Sequence, residues 1–313
     1  MRWCGKDFTE TVTAVCQKTI KSAIGCSGIG LHSGVDINMT LRPAPVGTGI
    51  VFTRVDQGNA LLPATYDLVS ETQLGTTLRN VDGVNLGTVE HLMAALWGCE
   101  IDNLFVDVDG PEVPAMDGSA APFVFLIECA GIAEQSAPRQ ALRVCQPVEV
   151  VAGEKRITLT PADDFSVDLM INYDHPMISC QSSCFDGGPF AFKTEISRAR
   201  TFGIADEVAA LHAAGFALGG SLENAVVVVE DRVLNDGGLR YENEFARHKM
   251  LDCVGDFYLA GAPLLAHVEA HCSGHQLNNA ALRALFASDQ NWKLEPIMPV
   301  VSSGPEMAAG AEA

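Results

Sequence analysis

His248 and Asp252 are the first residues in this sequence whose types and spacing could support chemistry. They lie four residues apart within 239–261, a segment whose apolar residues recur at roughly helical spacing. Residues at i and i+4 share one face of a helix, so the imidazole and the carboxylate would stand side by side. A catalytic zinc typically takes three protein ligands, and this pair could supply two of them. The alternative is a solvated ion pair, which the spacing alone favours.

Glu90 and His91 form a second candidate pair, at the start of a predicted helix with Thr88 as its N-cap. His91 could be the third metal ligand. Glu90 could act as the general base, because a carboxylate beside a metal-bound water can take its proton. The alternative is that an acidic residue simply complements the dipole at a helix N-terminus. The spacing is compatible with both interpretations.

His275 lies at a predicted turn between a strand and a helix, a position that exposes a side chain to a cleft. It could be a fourth ligand, a general acid, or only a residue that caps the turn. Asp256 lies one helical turn beyond Asp252 and could raise the pKa of a nearby imidazolium through its charge. Lys249, adjacent to the same face, is a candidate for binding an anionic substrate group. Among the other histidines, His271 is the main alternative ligand.

The elements that must position these residues form two comparable halves. Alternating apolar residues predict half-buried strands at 35–41, 104–109 and 165–171. Other patterns predict helices at 117–132 and 239–261, strands at 226–229 and 264–271, and a strand-like stretch at 194–200, while polar residues 133–140 indicate a linker. We therefore predict an α+β fold with a leader (1–15), domain I (16–135), domain II (136–296) and a C-terminal tail (297–313).

Composition and charge exclude several classes of protein. The chain has 313 residues, of which 48% are hydrophobic and 19% charged, which is typical of a globular protein. A net charge of −19 disfavours nucleic acid and anionic membranes as partners, although a local basic site can still bind a phosphorylated ligand. We see no signal peptide and no apolar run long enough to span a membrane. Ten cysteines without a Cys-x-x-Cys pair predict a reduced, cytoplasmic protein.

Five motifs, taken in chain order, carry a resemblance to a known family. From about Gln17 to Leu294 the chain resembles the UDP-3-O-acyl-N-acetylglucosamine deacetylases, which catalyse the committed step of lipid A biosynthesis in Gram-negative bacteria. The motifs are Thr-Val-Glu-His-Leu (88–92), Met-Asp-Gly-Ser-Ala-Ala-Pro-Phe (116–123), Ser-Arg-Ala-Arg-Thr-Phe-Gly (197–203), Arg-His-Lys-Met-Leu-Asp (247–252) and Ser-Gly-His-Gln-Leu-Asn-Asn (273–279).

The resemblance implies a fold, a cofactor and a set of roles. The fold would be two α+β domains of similar topology, with the helices sandwiched between two β-sheets. The cofactor would be one catalytic zinc ion in a metalloamidase that releases acetate from an acylated UDP-amino sugar. The implied roles are zinc ligation by His91, His248 and Asp252, base catalysis by Glu90, acid catalysis by His275 with Asp256 as its charge partner, and oxyanion binding by Thr201.

The resemblance also bears on the partners of the chain, on the alternative functions and on the residues that contact the substrate. We expect a monomer that binds a small molecule and no nucleic acid. Two alternatives remain: an amidase for another N-acetylated sugar, and a non-catalytic protein that binds a UDP-sugar or an acyl chain. The substrate contacts would be Phe202 and Lys249 near the reacting group, Lys155 and Tyr173 at the nucleotide-sugar part, and Ile204, Val208, Ala217 and Leu218 along the acyl chain.

Overall fold

A computed structural model describes residues 14–298 of the chain. Most of the predicted leader (1–15) and tail (297–313) lies outside these residues. The elements of the first half are β1 (Cys16–Ile20), β2 (Ile24–Ile29), β3 (Asp36–Pro43), β4 (Ile50–Arg54), β5 (Ala60–Pro63), β6 (Val69–Glu71), β7 (Thr77–Arg79), β8 (Asn85–Leu86), α1 (Glu90–Gly98), β9 (Leu104–Val108), α2 (Ala121–Ala130) and β10 (Ile132–Pro138).

The second half contains more elements, several of them short. Short 3-10 helices lie at Tyr66–Leu68 in the first half and at Ala205–Glu207 in the second, and a π-helical turn spans Phe192–Ile196. The remaining elements are β11 (Gln140–Val144), β12 (Val148–Ala152), β13 (Lys155–Pro161), β14 (Phe165–Asn172), β15 (Cys180–Phe185), α3 (Gly188–Ala191), β16 (Phe202–Ile204), α4 (Val208–Ala213), β17 (Val226–Val229), β18 (Arg232–Val233), α5 (Glu244–Tyr258), β19 (Leu264–His271), α6 (His275–Phe286) and β20 (Trp292–Pro296).

Two large sheets form the framework. The first has the strand order β2-β3-β9-β4-β5, in which only β4 and β9 are parallel. The second has the order β12-β13-β19-β11-β20, and β14 joins it by pairing in parallel with β19 and antiparallel with β15. Strand β3 buries Ile37, Met39 and Leu41 and turns the residues between them outward, as its alternating pattern requires.

The longer helices α1, α2, α5 and α6 lie between these sheets. All nine residues of α1 are buried, and so are most residues of α5, which a helix exposed on one side cannot achieve. Helix α2 packs against β2 of the first sheet and against α1, α1 packs against α5, and α5 and α6 pack against strands β14, β15, β12 and β13 of the second sheet. This arrangement confirms the predicted α+β fold with sandwiched helices. None of the helices within 14–298 is long and apolar enough to cross a membrane.

Several local predictions differ from the structure. Residues 133–140 are not a free linker, because β10 occupies most of them and pairs with β1 at the other end of the first half. Residues 194–200 are not strand-like, since they contain the end of the π-helical turn and a bend that leads into β16. The helix predicted over 239–261 is shorter, because α5 begins at Glu244 and ends at Tyr258.

Candidate metal-dependent active site

One face of α5 carries an ionisable residue at every fourth position. These residues are Glu244, His248, Asp252 and Asp256, and none is more than 2% exposed. A buried charge is unfavourable unless it has a partner that satisfies it. The four side chains must therefore be matched by groups on other elements, and those groups define the site.

Helix α1 supplies two of these groups because it approaches α5 very closely. Gly255 lies at the contact, where a Cβ atom would overlap the carbonyl oxygen of Glu90. The approach places His91 Nε2 3.5 Å from Asp252 Oδ1, while His248 Nε2 lies 3.3 Å from the same oxygen. Ligand atoms of these three residues all lie within 4.8 Å of one another.

The chemistry of this trio fits a cation. Asp252 Oδ1 is buried and has no hydrogen-bond partner among the described residues, although it faces two imidazole nitrogens. His248 Nδ1 donates to the carbonyl of Ala199 at 3.1 Å, which leaves Nε2 with its lone pair directed at the site. Burial lowers the pKa of His248 to about 3, so the ring is neutral. A metal ion would satisfy the orphaned oxygen and both nitrogens.

Lys249 is one of the neighbours that favour the ionised form of Asp252. Its Nζ lies 2.9 Å from Asp252 Oδ2 and 5.7 Å from the centre of the Phe202 ring, within the range of a cation–π contact. Burial opposes the charge of Asp252, but its interactions with His248 and Lys249, in that order, outweigh burial and hold the pKa of the carboxyl well below its ordinary value. Burial likewise opposes the charge of Lys249, yet the carboxylate raises its pKa.

His275 and Asp256 form the second half of the site. His275 Nδ1 lies 2.8 Å from Asp256 Oδ2, and its Nε2 points back at 3.9 Å from Asp252 Oδ2 and 4.0 Å from Glu90 Oε1. Burial disfavours the imidazolium, but the charge of Asp256 and the hydrogen bond to it, followed by the charges of Glu90 and Asp252, raise the pKa of His275 to about 9. His275 is therefore protonated at neutral pH.

The pKa of Glu90 is shifted in the direction opposite to that of Asp252. It is 2% exposed, and burial raises its pKa above the ordinary value despite the nearby histidines. The backbone N–H of Thr76 donates to Glu90 Oε2 at 3.0 Å, while Oε1 faces His275. A carboxylate with a raised pKa and an imidazole with a raised pKa thus share one cleft, which is the arrangement that paired base and acid catalysis requires.

An ion pair between Glu244, at the start of α5, and Arg200 fixes the segment that leads into β16. Glu244 Oε1 accepts hydrogen bonds from the backbone N–H and the Nε of Arg200 at 3.1 and 2.8 Å. Its Oε2 accepts from Arg200 Nη2 at 3.0 Å and from the backbone N–H of Arg240 at 2.6 Å. These bonds hold the bend before β16, which includes the Ala199 carbonyl that orients His248.

Thr201 follows this bend and is held through its backbone. Its N–H donates to the carbonyl of Gly118 at 2.8 Å, and its carbonyl accepts from Val226 at 2.8 Å. Gly118 has φ +82°, and a Cβ atom there would overlap the carbonyl oxygen of Asn224, so only glycine fits. The Thr201 hydroxyl makes no hydrogen bond within residues 14–298 and is available to a ligand.

An apolar cavity of about 280 Å³ opens beside Thr201 and Phe202. Helix α4 and the segment after it form one wall, and the loop before β3 forms another. Its size and lining suit a flexible hydrocarbon chain. The lining residues are Leu31, His32, Leu74, Thr201, Phe202, Gly203, Val208, Leu211, His212, Ala217, Gly220, Ser221, Leu222, Ala225 and Val227.

Known proteins resemble this chain over nearly its whole length. A sequence profile of the UDP-3-O-acyl N-acetylglycosamine deacetylase family matches residues 17–287. The UDP-3-O-acyl-N-acetylglucosamine deacetylase of Acidithiobacillus ferrooxidans is 51% identical over 281 residues, which cover 88% of this chain and 92% of that protein. The protein of the same name from Oleidesulfovibrio alaskensis is 52% identical over 275 residues, which cover 88% of this chain and 90% of that protein. The one from Idiomarina loihiensis is 49% identical over 280 residues, which cover 88% of this chain and 92% of that protein.

The chain belongs to this family. Membership in the UDP-3-O-acyl-N-acetylglycosamine deacetylase family confirms the resemblance carried by the five motifs. It also confirms the predicted enzyme class, a hydrolase that deacetylates a UDP-3-O-acylated amino sugar in lipid A biosynthesis. The family consists of metalloenzymes, and within residues 14–298 the trio of His91, His248 and Asp252 is the one group of such side chains spaced to hold a metal ion.

The structure brings most of the predicted site residues together, although not all of them. Tyr173 packs edge-on against Phe202 at 5.6 Å between ring centres, and Val208 and Ala217 line the cavity. Ile204 and the half-exposed Leu218 are not among the lining side chains. Lys155 lies exposed at the start of β13, and no hydrogen bond or ion pair in the described part of the chain links it to the site.

Several residues of the site escaped the sequence analysis. Thr76 contacts both the Glu90 and the His275 sides of the cleft but carries no motif. His32 lines the cavity, where its Nε2 donates to the Leu74 carbonyl at 3.2 Å and its Nδ1 accepts from Ala217 N–H at 3.3 Å. Glu244 had a readable signal, because it precedes His248 by four residues and continues the same helical face.

One predicted capping residue is placed differently. Thr88 was expected to cap α1, but Val89 occupies the cap position and no side chain bonds to the first turn. Thr88 instead has φ +56°, and its hydroxyl donates to Glu112 at 3.1 Å. The helix start is stabilised by tertiary packing rather than by a side-chain cap.

Proposed function

We propose that this chain hydrolyses the N-acetyl group of UDP-3-O-(3-hydroxyacyl)-N-acetylglucosamine and releases acetate and the 2-amino sugar nucleotide. Family membership supports the substrate. The observation that carries the mechanism is the orphaned Asp252 Oδ1, which faces the Nε2 atoms of His91 and His248. These three residues would hold one zinc ion, the metal preferred by two imidazoles and a carboxylate at a hydrolytic site.

Zinc bound there would polarise the acetamide carbonyl and lower the pKa of a water molecule. Glu90 takes the proton of the attacking water as general base. Thr76 N–H occupies Glu90 Oε2, so Oε1 is the oxygen that faces the cleft and receives the proton. The raised pKa of Glu90 brings its basicity closer to the working pH, which is the condition for efficient proton transfer.

His275 delivers a proton to the departing amine. Its pKa of about 9 keeps it protonated at neutral pH, and Asp256 holds Nδ1 so that Nε2 faces the cleft. Glu90 Oε1 and His275 Nε2 lie 4.0 Å apart, so the base and the acid both reach one tetrahedral centre. The reaction needs no covalent intermediate with the enzyme, because water is the nucleophile.

Thr201 and Lys249 bind the polar groups near the reacting carbon. The Thr201 hydroxyl has no partner within residues 14–298 and would donate to the oxyanion of the tetrahedral intermediate. Lys249 Nζ lies between Asp252 and the Phe202 ring, where it can meet an anionic or hydroxyl group of the substrate. Tyr173, which contacts Phe202, and Lys155 would bind the nucleotide-sugar part.

The cavity beside Thr201 would hold the 3-O-acyl chain. Val208 and Ala217 lie on its wall, and Ile204 and Leu218 belong to the same segments of the chain. Binding of a remote chain can orient the amide and so contribute to kcat as well as to affinity. A substrate that lacks the acyl group should therefore lose most of its kcat/KM. Equal kcat/KM for both substrates would remove the cavity from the mechanism.

Acetate release from the acylated UDP-sugar tests the proposal as a whole. The purified enzyme should lose activity after chelation and regain it when about one equivalent of zinc is restored. Activity that survives complete removal of metal would contradict the role of the trio. The cytoplasmic location and the monomeric state predicted from the sequence stay predictions.

A further inference from the structure

We propose that Thr76 is a positioning residue that fixes the general base and the general acid relative to each other. This inference rests on the proposed function, because it takes Glu90 as the base and His275 as the acid. Thr76 lies in the loop between β6 and β7 and is 2% exposed. Its backbone contacts one catalytic group and its side chain contacts the other.

The hydroxyl of Thr76 contacts the general acid His275 and its partner Asp256. It lies 2.6 Å from Asp256 Oδ1, and it must be the donor because an ionised carboxylate only accepts. Its lone pairs then face His275 Nδ1 at 3.2 Å. The other carboxylate oxygen, Oδ2, accepts from His275 Nδ1 and from Asn278 Nδ2, each at 2.8 Å. Thr76, Asp256 and His275 thus form a closed triangle of polar contacts that fixes the plane of the carboxylate and of the imidazole.

The backbone of Thr76 contacts the general base Glu90. Its N–H donates to Glu90 Oε2 at 3.0 Å, which directs Oε1 towards His275. Glu90 belongs to α1 and His275 to α6, so the two catalytic groups come from helices of different halves of the chain. Thr76 is a single residue that is bonded to both, within the polar interior where α1 meets α5.

Both proton transfers depend on this spacing. A base and an acid are effective when each lies about 2.6–3.2 Å from the heavy atom with which it exchanges the proton, and small misplacements reduce the rate steeply. Without the hydroxyl, Asp256 Oδ1 would lose its donor and the carboxylate could rotate away from His275. Since a hydrogen bond to a charged group is involved, we expect kcat to fall roughly 10- to 100-fold. KM should change little, because Thr76 does not line the acyl cavity.

The test compares variants that differ by one group. Thr76→Val removes the hydroxyl and keeps the branched shape and the N–H bond to Glu90, whereas Thr76→Ser keeps the hydroxyl. Thr77→Val is the matched control: Thr77 is the next residue, is half-buried, and its hydroxyl has no hydrogen bond in the described part of the chain. Acetate release, zinc content and thermal unfolding are measured for each. If valine is not tolerated in the fold, Thr76→Ala removes the same group and carries the same expectation.

A positioning role predicts a specific pattern. Thr76→Val should lower kcat with zinc near one per chain, Thr76→Ser should restore at least a third of the activity, and Thr77→Val should stay within about twofold of the wild type. When Asp256 is already Asn, Thr76→Val should cost less than about threefold more, because its hydroxyl acts through that carboxylate.

Three results would overturn the inference. These are a Thr76→Val enzyme within twofold of the wild type, a Thr76→Ser enzyme as impaired as the valine variant, or a full additional loss in the Asp256→Asn background. Failure of the proposed function looks different. In that case Glu90→Gln and Asp256→Asn would themselves leave acetate release unchanged, whatever Thr76 does.

Discussion

The charge of Asp256 should set the upper pH limit of activity. Burial alone would make His275 a weaker base, and it is Asp256, by charge and by hydrogen bond, that contributes most to the rise of its pKa to about 9. In Asp256→Asn the opposing effect of burial is no longer outweighed, and we expect the pKa of His275 to fall to about 6.5 or lower. At pH 7.5 the protonated fraction would then drop from nearly complete to about a tenth or less, so kcat/KM should fall at least tenfold.

Working at lower pH should rescue this variant only in part. The acid must be protonated, so activity is lost as the pH rises through the pKa of His275. The base must be ionised, so activity is also lost as the pH falls through the raised pKa of Glu90. Lowering the pKa of His275 narrows the active pH range from its alkaline side, and each limb reports the coupled pair rather than one residue.

The assay is acetate release between pH 5 and 10, analysed as kcat/KM. The wild-type profile should fall near pH 9 and the Asp256→Asn profile about two units lower or more. Asp168→Asn is the matched control, because Asp168 Oδ2 lies 3.9 Å from His267 Nε2 in a partly exposed His–Asp pair on the second sheet. Its profile should match the wild type. A descending limb that stays near pH 9 in Asp256→Asn would refute this account of the acid.

Three further predictions concern the framework and the cavity. Glu244→Gln breaks the buried pair with Arg200 and should lower the free energy of unfolding by about 3 kcal/mol in urea titration. Glu71→Gln, which breaks an exposed pair, should lower it by less than about 1 kcal/mol. Equal losses would contradict the importance of the buried pair. Gly255→Ala should lower the same free energy by about 1–3 kcal/mol, since a Cβ atom would force α1 away from α5, and an unchanged value would show that the helices can adjust. Val208→Asp places a charge in the apolar cavity and should raise KM for the acylated substrate roughly tenfold or more at unchanged zinc content, while the substrate without the acyl chain should be affected little.

Much of the fold could be predicted because its signals are local. The alternation that predicted β3 and β14 reflects one buried face, and the apolar run of β17 has one buried face and one half-buried face, where Val227 lines the cavity. The errors have non-local causes. Strand β10 forms because β1, more than a hundred residues earlier, pairs with it, and the stretch before β16 is bent because Arg200 bonds to Glu244. No window of sequence contains such partners.

The residues of the candidate site likewise fall into those that a local pattern predicts and those that only the structure reveals. His248, Asp252 and Asp256 could be predicted together, because one helical face carries all three. That α1 brings Glu90 and His91 to this face follows from the resemblance and from the structure, and not from spacing. Thr76 could not be found from the sequence at all, since a single threonine in a loop has no pattern, and only the packed structure shows what it touches.

The central claim is that Glu90 is the base while His91, His248 and Asp252 hold the metal. Metal analysis combined with turnover in two variants tests it most directly. Glu90→Gln should keep zinc near one per chain while kcat falls by roughly two to four orders of magnitude, the usual effect of losing a general base. His248→Ala should lose zinc and activity together. Loss of zinc from Glu90→Gln would make Glu90 a ligand, and near-normal turnover in that variant would assign the base to another group.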